Sequence, residues 1–282
     1  MQMSIPTVSG YNTTFANVGE TANKGLDLSL TTVNINTRSF QWTTTTSISW
    51  QNDHIVSLSN GKEDDINNTW FIDQPLSVIY GYKGMGLWHL EDSSTYKLYN
   101  AKGAAFSAGK VRPADINGDT AIDANFDRVI IGNTRPRWIV GMTNTFSYKS
   151  FELSIFLYGR LKYFYNTGGE SETARGVQRT INYYNENNMN AEYQKPVYSE
   201  GSGDAYYPAL GYKKASFIKI RNISLGYNLN SNTLKTSAIS GLKIYVQVVN
   251  PGMLFSKISW MDMDVVEPTY NRGITIGLNA TF

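Results

Sequence analysis

Oxygen-bearing side chains alternate along one short stretch: Asp115, Asn117, Asp119, then Ala121 (through its backbone carbonyl) and Asp123, with Asp127 four residues further on. Oxygen ligands at alternate positions are what a hard cation such as calcium requires. The stretch is not an EF-hand loop, because its sixth position is Thr120 rather than Gly and its twelfth is Phe126 rather than a bidentate Glu. Asp127 is placed to close the shell instead. The same residues make an Asx-rich turn, in which side-chain oxygens satisfy the N–H groups of their own loop. A calcium site and an Asx-rich turn both remain open at this point.

Other chemistry finds little material. Glu63, Asp64 and Asp65 offer carboxylates for glycoside hydrolysis, but adjacent charges on a polar stretch read as solvated surface. Gly84-Met85-Gly86 lacks the third glycine and the strand-to-helix context of a phosphate-binding loop. Cysteine is absent, which excludes disulfides, thiolate zinc sites and a cysteine nucleophile. With only His54 and His89, a His-rich metal centre cannot be built, and a Ser-His-Asp triad has two candidate bases. No catalytic residue and no enzyme activity are expected. Trp70, Trp88, Tyr96, Tyr183 and Tyr206 lie in two long stretches and are the candidate ligand contacts, since aromatic faces suit flat apolar surfaces, sugars included. Packing of these rings onto one another, or onto a partner lid, is the alternative.

The elements that carry these residues follow from composition and period. Across 282 residues, 25 Lys and Arg face 23 Asp and Glu, a net charge of +2, so no chain-wide grip on nucleic acid is expected. Charged residues make up 17%, below the ~25% of ordinary soluble domains, while 19 tyrosines and 24 glycines point to strands. No run approaches the ~18 apolar residues of a membrane helix, which leaves a transmembrane barrel open because its strands alternate. Met1-Gln2-Met3-Ser4-Ile5-Pro6 has neither the basic nor the apolar region of a signal peptide.

Two-residue alternation dominates. Ile274, Ile276, Leu278, Ala280 and Phe282 interleave with Gly, Thr and Asn. Leu26-Leu28-Leu30, Phe40-Trp42 with Ile48-Trp50, Trp138–Tyr148 (Asn144 the odd member), Phe151–Leu157 and Leu242–Val248 behave alike. The charges Asp27, Glu152 and Lys243 fall on the polar phase. In Phe217–Tyr227 the apolar phase switches, which predicts a β-bulge near Asn222.

Connections sort by side. Short ones at 36–39 and 148–151, with 228–241, fall at one end, while long ones near 58–135 and 161–214, with a middling one near 251–270, fall at the other. Short turns facing long loops mark an outer-membrane barrel, with Trp138, Tyr148, Tyr227 and Phe282 at the interfaces. The fold class expected is all-β, an antiparallel transmembrane β-barrel segment with long extracellular loops. Pairing of residues near 12–18 with the final strand would instead close a small pore or adhesion barrel. Two packed layers would make a soluble β-sandwich, a carbohydrate-binding module.

Five motifs in order resemble the SusC/RagA-type TonB-linked outer-membrane transporters: Asn23–Leu30, Ile79–Trp88, Asp115–Asp123, Asp127–Pro136 and Ser216–Tyr227. The family's ending is matched by Glu267-Pro268, whereas Asn250–Phe255 and Trp260–Met263 depart from its pattern. The resemblance implies that residues 1–282 form the C-terminal part of such a receptor, about eight strands of a ~22-stranded, plugged barrel, without the plug domain. It further implies import of a bulky nutrient such as an oligosaccharide or peptide, in the bacterial outer membrane. The partners implied are membrane lipid, a SusD-like surface lipoprotein, and the TonB system through an N-terminal portion this sequence lacks. Phe282 is then the terminal signal for barrel assembly.

Overall fold

Alternating sequences of this kind give a computed structural model built mainly of antiparallel strands. It describes residues 2–4, 8, 10, 13–15, 19–168, 179–198, 204–230, 239, 241–266 and 271–281. The strands are β1 (Gln2–Ser4), β2 (Thr13–Phe15), β3 (Glu20–Asn36), β4 (Phe40–Ser57), β5 (Val78–Tyr82), β6 (Gly84–Leu87) and β7 (Val111–Pro113). They continue with β8 (Arg128–Asn133), β9 (Trp138–Tyr148), β10 (Phe151–Leu161), β11 (Phe164–Asn166), β12 (Tyr212–Lys214), β13 (Phe217–Asn230), β14 (Gly241–Ser256) and β15 (Gly273–Thr281). One α-helix, α1 (Ser93–Asn100), lies between β6 and β7. Two compact units result, residues 24–52, 136–163 and 215–282 in one, and 1–23, 53–135 and 164–214 in the other.

The first unit is a wall of seven strands in the order β15-β14-β13-β10-β9-β4-β3. About eight were expected. Among the described residues, the segment near 12–18 supplies the short β2, which pairs with β1. The wall's end strands, β3 and β15, do not pair with each other among the described residues, so the small closed barrel is not what forms.

Register brings the apolar phases of successive strands into line. Leu153 pairs with Leu225, Leu225 with Val246, and Val246 with Ile276; Ile155, Ile223, Val248 and Ile274 form the next row. A one-residue slip would turn one strand's apolar set to the opposite face. The expected bulge is present: β10 steps from Phe156 to Leu157 while β13 steps from Asn222 to Ile220, leaving Arg221 as the extra residue. Opposite it, β14 carries Asn250 in the left-handed region (φ 51°) next to Pro251, a proline tolerated because the ladder is already interrupted there.

The apolar phase has no second layer over it. Ile274, Ile276 and Leu278 are 74%, 75% and 60% exposed, and Leu26, Leu28 and Leu30 are exposed as well. In water such a surface would drive association, whereas against acyl chains it is the favourable arrangement. A β-sandwich would have buried it.

Tight approach between strands is set at Gly159. A Cβ there would meet the Phe217 carbonyl oxygen at 2.8 Å and the Val140 side chain at 3.1 Å. Asn144, the polar exception on the apolar face, lies in a bonded strip. Its Oδ1 accepts from Thr44 Oγ1 at 2.8 Å, and Asn34 Nδ2 donates to Thr44 Oγ1 at 2.7 Å.

The second unit shows that the long connections are packed rather than loose. Its core joins Leu87, Val111, Ile181, Tyr193, Tyr207 and Leu210. The same unit holds the two-stranded antiparallel pairs β5–β8, β6–β7 and β11–β12, each joined through a long connection.

Candidate functional site

On the polar face of the wall, alternation leaves small hydroxyl side chains beside aromatic ones. A groove of about 470 Å³ is lined by Asp27, Ser29, Thr45, Ser47, Phe156 and Tyr158, among others. Thr31 and Thr45 share a hydrogen bond of 3.1 Å along it. Further along this face, Lys243 of β14 extends over Gly226, whose missing side chain leaves the space, and its Nζ donates to Glu152 of β10 at 2.9 Å. Both ends are partly exposed, so the pair contributes on the order of 0–1 kcal/mol.

A stronger cluster gathers where the β14–β15 connection returns to the wall. Lys219 of β13 is 2% exposed, and its Nζ donates to Asp262 Oδ2 at 2.9 Å and Oδ1 at 3.1 Å. It also stands 3.1 Å from Asp264 Oδ2. Arg160 and Arg221 reach the same Asp264 at 3.5 and 3.4 Å. Both guanidinium groups lie over the Tyr158 ring, at 5.6 and 5.0 Å from its centre, and Arg160 Nε donates to the Tyr158 hydroxyl at 3.0 Å. Beside them, burial pushes the Tyr163 phenol up to about 12. This cluster was missed in the sequence. Asp262 sits inside the unusual Trp260–Met263 stretch, and a lysine near the start of an alternating strand, two residues before an arginine, was the available signal.

In the second unit, the Asp/Asn stretch is held by its own side chains. Asp115 Oδ1 accepts from Gly118 N at 2.7 Å and Oδ2 from Thr120 N at 2.9 Å. Asn117 Oδ1 accepts from Asp119 N, Asp119 Oδ1 from Ala121 N, and Asp123 Oδ1 from Asn125 N and Phe126 N. Asp127 is fully buried and ties the two arms together, accepting from Ile116 N and Asp123 N, both at 2.8 Å. These are the bonds of an Asx-rich turn. Among the described residues no three acidic or imidazole side chains converge as a metal site would need. The Ala121 N–H bond holds the Asp119 carboxyl below the usual carboxylate range. Burial, then the Asp115 hydrogen bond at 3.2 Å, raises the Tyr99 phenol, which stays a donor.

The aromatic candidates separate. Trp88 is 1% exposed and packs against Tyr96, Tyr99 and Phe106, with the Arg112 guanidinium 4.5 Å over its ring. Tyr206 meets Phe106 and Tyr82, and Tyr183 meets Tyr193. Trp70 is half-buried, its backbone paired with Asp65. Trp88, Tyr96, Tyr183 and Tyr206 thus make ring contacts within the loops, most completely Trp88. Asp64 accepts from Ile72 N, Asp65 from Asn68, and Glu63 from Asn60, so the acidic triplet closes its own turn. His54 lies in β4 and His89 precedes α1. Phe282 lies outside the described residues.

Comparison with known proteins supplies the setting. No family model matches the chain. It is 29% identical over 301 aligned positions to TonB-dependent receptor P39 of Formosa agariphila, covering 87% of this chain and 28% of that protein. It is 25% identical to TonB-dependent receptor SusC of Bacteroides thetaiotaomicron, covering 99% of this chain and 28% of SusC. The fold superposes on the RagAB peptide importer in its open-open state with a TM-score of 0.73 at 19% identity, over 100% of this chain and 31% of that one. The RagAB peptide transporter gives 0.70, over 99% of this chain and 31% of that one. The chain thus spans about a third or less of the proteins it matches. Sheet order, an uncovered apolar face and these likenesses agree: the chain is a homologue of the SusC/RagA-type TonB-dependent receptors of the bacterial outer membrane and corresponds to a portion of their β-barrel.

Proposed function

We propose that this chain is the C-terminal part of the barrel wall, with its extracellular loops, of a receptor that imports a bulky nutrient across the outer membrane. The uncovered apolar face carries the reading, because Leu225 and Ile244, on strands paired at both sides, are still 46% and 44% exposed, an arrangement that lipid favours and water does not. The opposite face, with its hydroxyl-lined groove, then looks into the lumen. Residues near 58–135 and 161–214 stand as extracellular loops, the first of them stiffened by the Asx-rich turn at 115–127. A SusD-like surface lipoprotein caps those loops, and TonB energises import through a part of the receptor outside this sequence. The description of RagAB as a peptide importer supports a peptide as cargo, and an oligosaccharide is the other bulky nutrient this reading admits. The work is transport rather than bond chemistry, which suits a strand wall that offers hydroxyl groups, aromatic rings and ion pairs.

Cell fractionation and uptake test the reading. The gene product is expected in the outer-membrane fraction, where it supports nutrient uptake that stops when TonB is deleted. A soluble, monodisperse gene product, or uptake indifferent to TonB, overturns it. The 282 residues alone leave β3 and β15 as open edges, which hydrocarbon does not tolerate, so by themselves they are expected to give no conductance in a planar bilayer.

A further inference from the structure

The ion cluster on the polar face is unbalanced. Lys219, Arg160 and Arg221 bring three positive charges, and Asp262 and Asp264 bring two negative ones. The imbalance is not spread evenly. Lys219 and Asp262 are buried and satisfy each other at 2.9 and 3.1 Å. Asp264, 3% exposed, is left as a shared counter-charge, 3.1 Å from Lys219 but 3.4–3.5 Å from the two guanidinium groups. Charge-assisted N–H···O bonds are ~2.7–2.9 Å when well made, so neither arginine is fully engaged by it. The Arg160 and Arg221 side chains are 32% and 47% exposed, which puts the surplus charge at the open edge of the cluster.

Geometry holds that edge in place. Stacking on one Tyr158 ring orients both guanidinium groups, and the bulge at Arg221 turns its side chain out of the regular alternation. Tyr163, 7% exposed, adds a hydroxyl with no hydrogen-bond partner among the described residues, close enough to feel Arg160, Tyr158 and Asp264. That phenol is enclosed, so two guanidinium donors and one surplus positive charge are what meet the partly open surface.

We propose that Arg160 and Arg221 form a subsite for a carboxylate group of the transported solute. A planar carboxylate matches the fork of a guanidinium group, and it supplies the one negative charge the cluster lacks. Lys219, Asp262 and Asp264 act as positioning residues that anchor the β14–β15 connection and keep the two arginines from collapsing onto a second protein carboxylate. The carboxylate has two sources, an acidic sugar or an acidic peptide, and the test separates them. The inference rests on the transport reading above, since it needs the polar face to meet solute.

Purified intact receptor in detergent is titrated calorimetrically with oligogalacturonate and with a glutamate tripeptide. The methyl ester of the first and the amide of the second serve as uncharged controls at fixed ionic strength. One acid is expected to bind at least about tenfold more tightly than its uncharged control, and which one does so names the source. The double variant Arg160→Gln, Arg221→Gln loses that preference, while Arg160→Lys, Arg221→Lys keeps part of it. The single variant Arg221→Gln, at the more exposed position, serves if the double variant does not assemble. Equal binding of acid and control, no binding of either acid, or a preference that survives in Arg221→Gln and the double variant overturns the proposal. If outer-membrane location and TonB-dependent uptake persist under any of those results, the subsite fails while the transport reading stands.

Discussion

Trp42 Nε1 donates to Asn144 Oδ1 at 3.0 Å across the β4–β9 pair, on the face that carries most of the apolar phase. Thr44 donates to the same oxygen, so one amide satisfies two donors on that face. Asn144 broke the alternation of its strand in the sequence, and the structure supplies the reason: it is the acceptor at the centre of a polar strip.

Asn144→Leu is therefore expected to destabilise despite restoring the apolar pattern. The indole and hydroxyl donors lose their acceptor, at a cost of about 1–2 kcal/mol. Urea unfolding of the intact receptor in vesicles reads this directly. A gain in stability would mean the strip is dispensable and that lipid accepts the orphaned donors.

Lys219 offers a sharper test of burial. Lys219→Met leaves Asp262, fully buried, without its cation, and removal of one partner from a buried pair costs about 3–5 kcal/mol. Adding Asp262→Leu should recover much of that loss, because two apolar groups of similar volume need no pairing. Thermal unfolding of the single and double variants distinguishes this from simple loss of packing, which the second substitution would not repair.

Strand identity, register phase, the bulge at Arg221 and the sorting of short and long connections were all legible in the sequence, because period two is a local signal. Partner-dependent features were not. Lys219 and Asp262 lie 43 residues apart and meet only after the β14–β15 connection folds back. Trp88 looked like a ligand contact because a long polar stretch contained it, yet Tyr96, Tyr99 and Phe106 enclose its ring. The Asp/Asn stretch was ambiguous because calcium ligation and backbone capping call for the same oxygens.

The lipid-facing assignment can be checked with one adjacent pair of residues. Ile276→Arg places a charge on the uncovered face in the middle of β15, with an expected cost of about 2–4 kcal/mol at mid-depth. Thr275→Arg, on the opposite face, should cost little beyond local repacking. Equal costs in vesicle-refolding equilibria would mean that neither face meets lipid.

The turn at 115–127 makes a prediction about both metal and pH. Since Asp115, Asp119, Asp123 and Asp127 already accept backbone N–H groups, chelator and added calcium should both leave amide exchange in 116–126 unchanged. Acid should not. The Ala121 N–H holds the Asp119 carboxylate below its ordinary range, so the folded turn favours the ionised form. A group depressed in the folded state contributes its stabilisation fully above the unfolded carboxylate range. That contribution fades as pH falls through the lowered value. Exchange at Ala121 should accordingly stay slow at neutral pH and quicken, beyond the intrinsic pH effect, only in acid below the usual Asp range. Asp119→Asn keeps an oxygen acceptor for Ala121 N–H but cannot titrate, so it should remove that acid-dependent step while leaving exchange at neutral pH nearly as slow. If instead calcium slows exchange across 116–126, the oxygens of this turn are ligands and its hydrogen bonds give way to the ion.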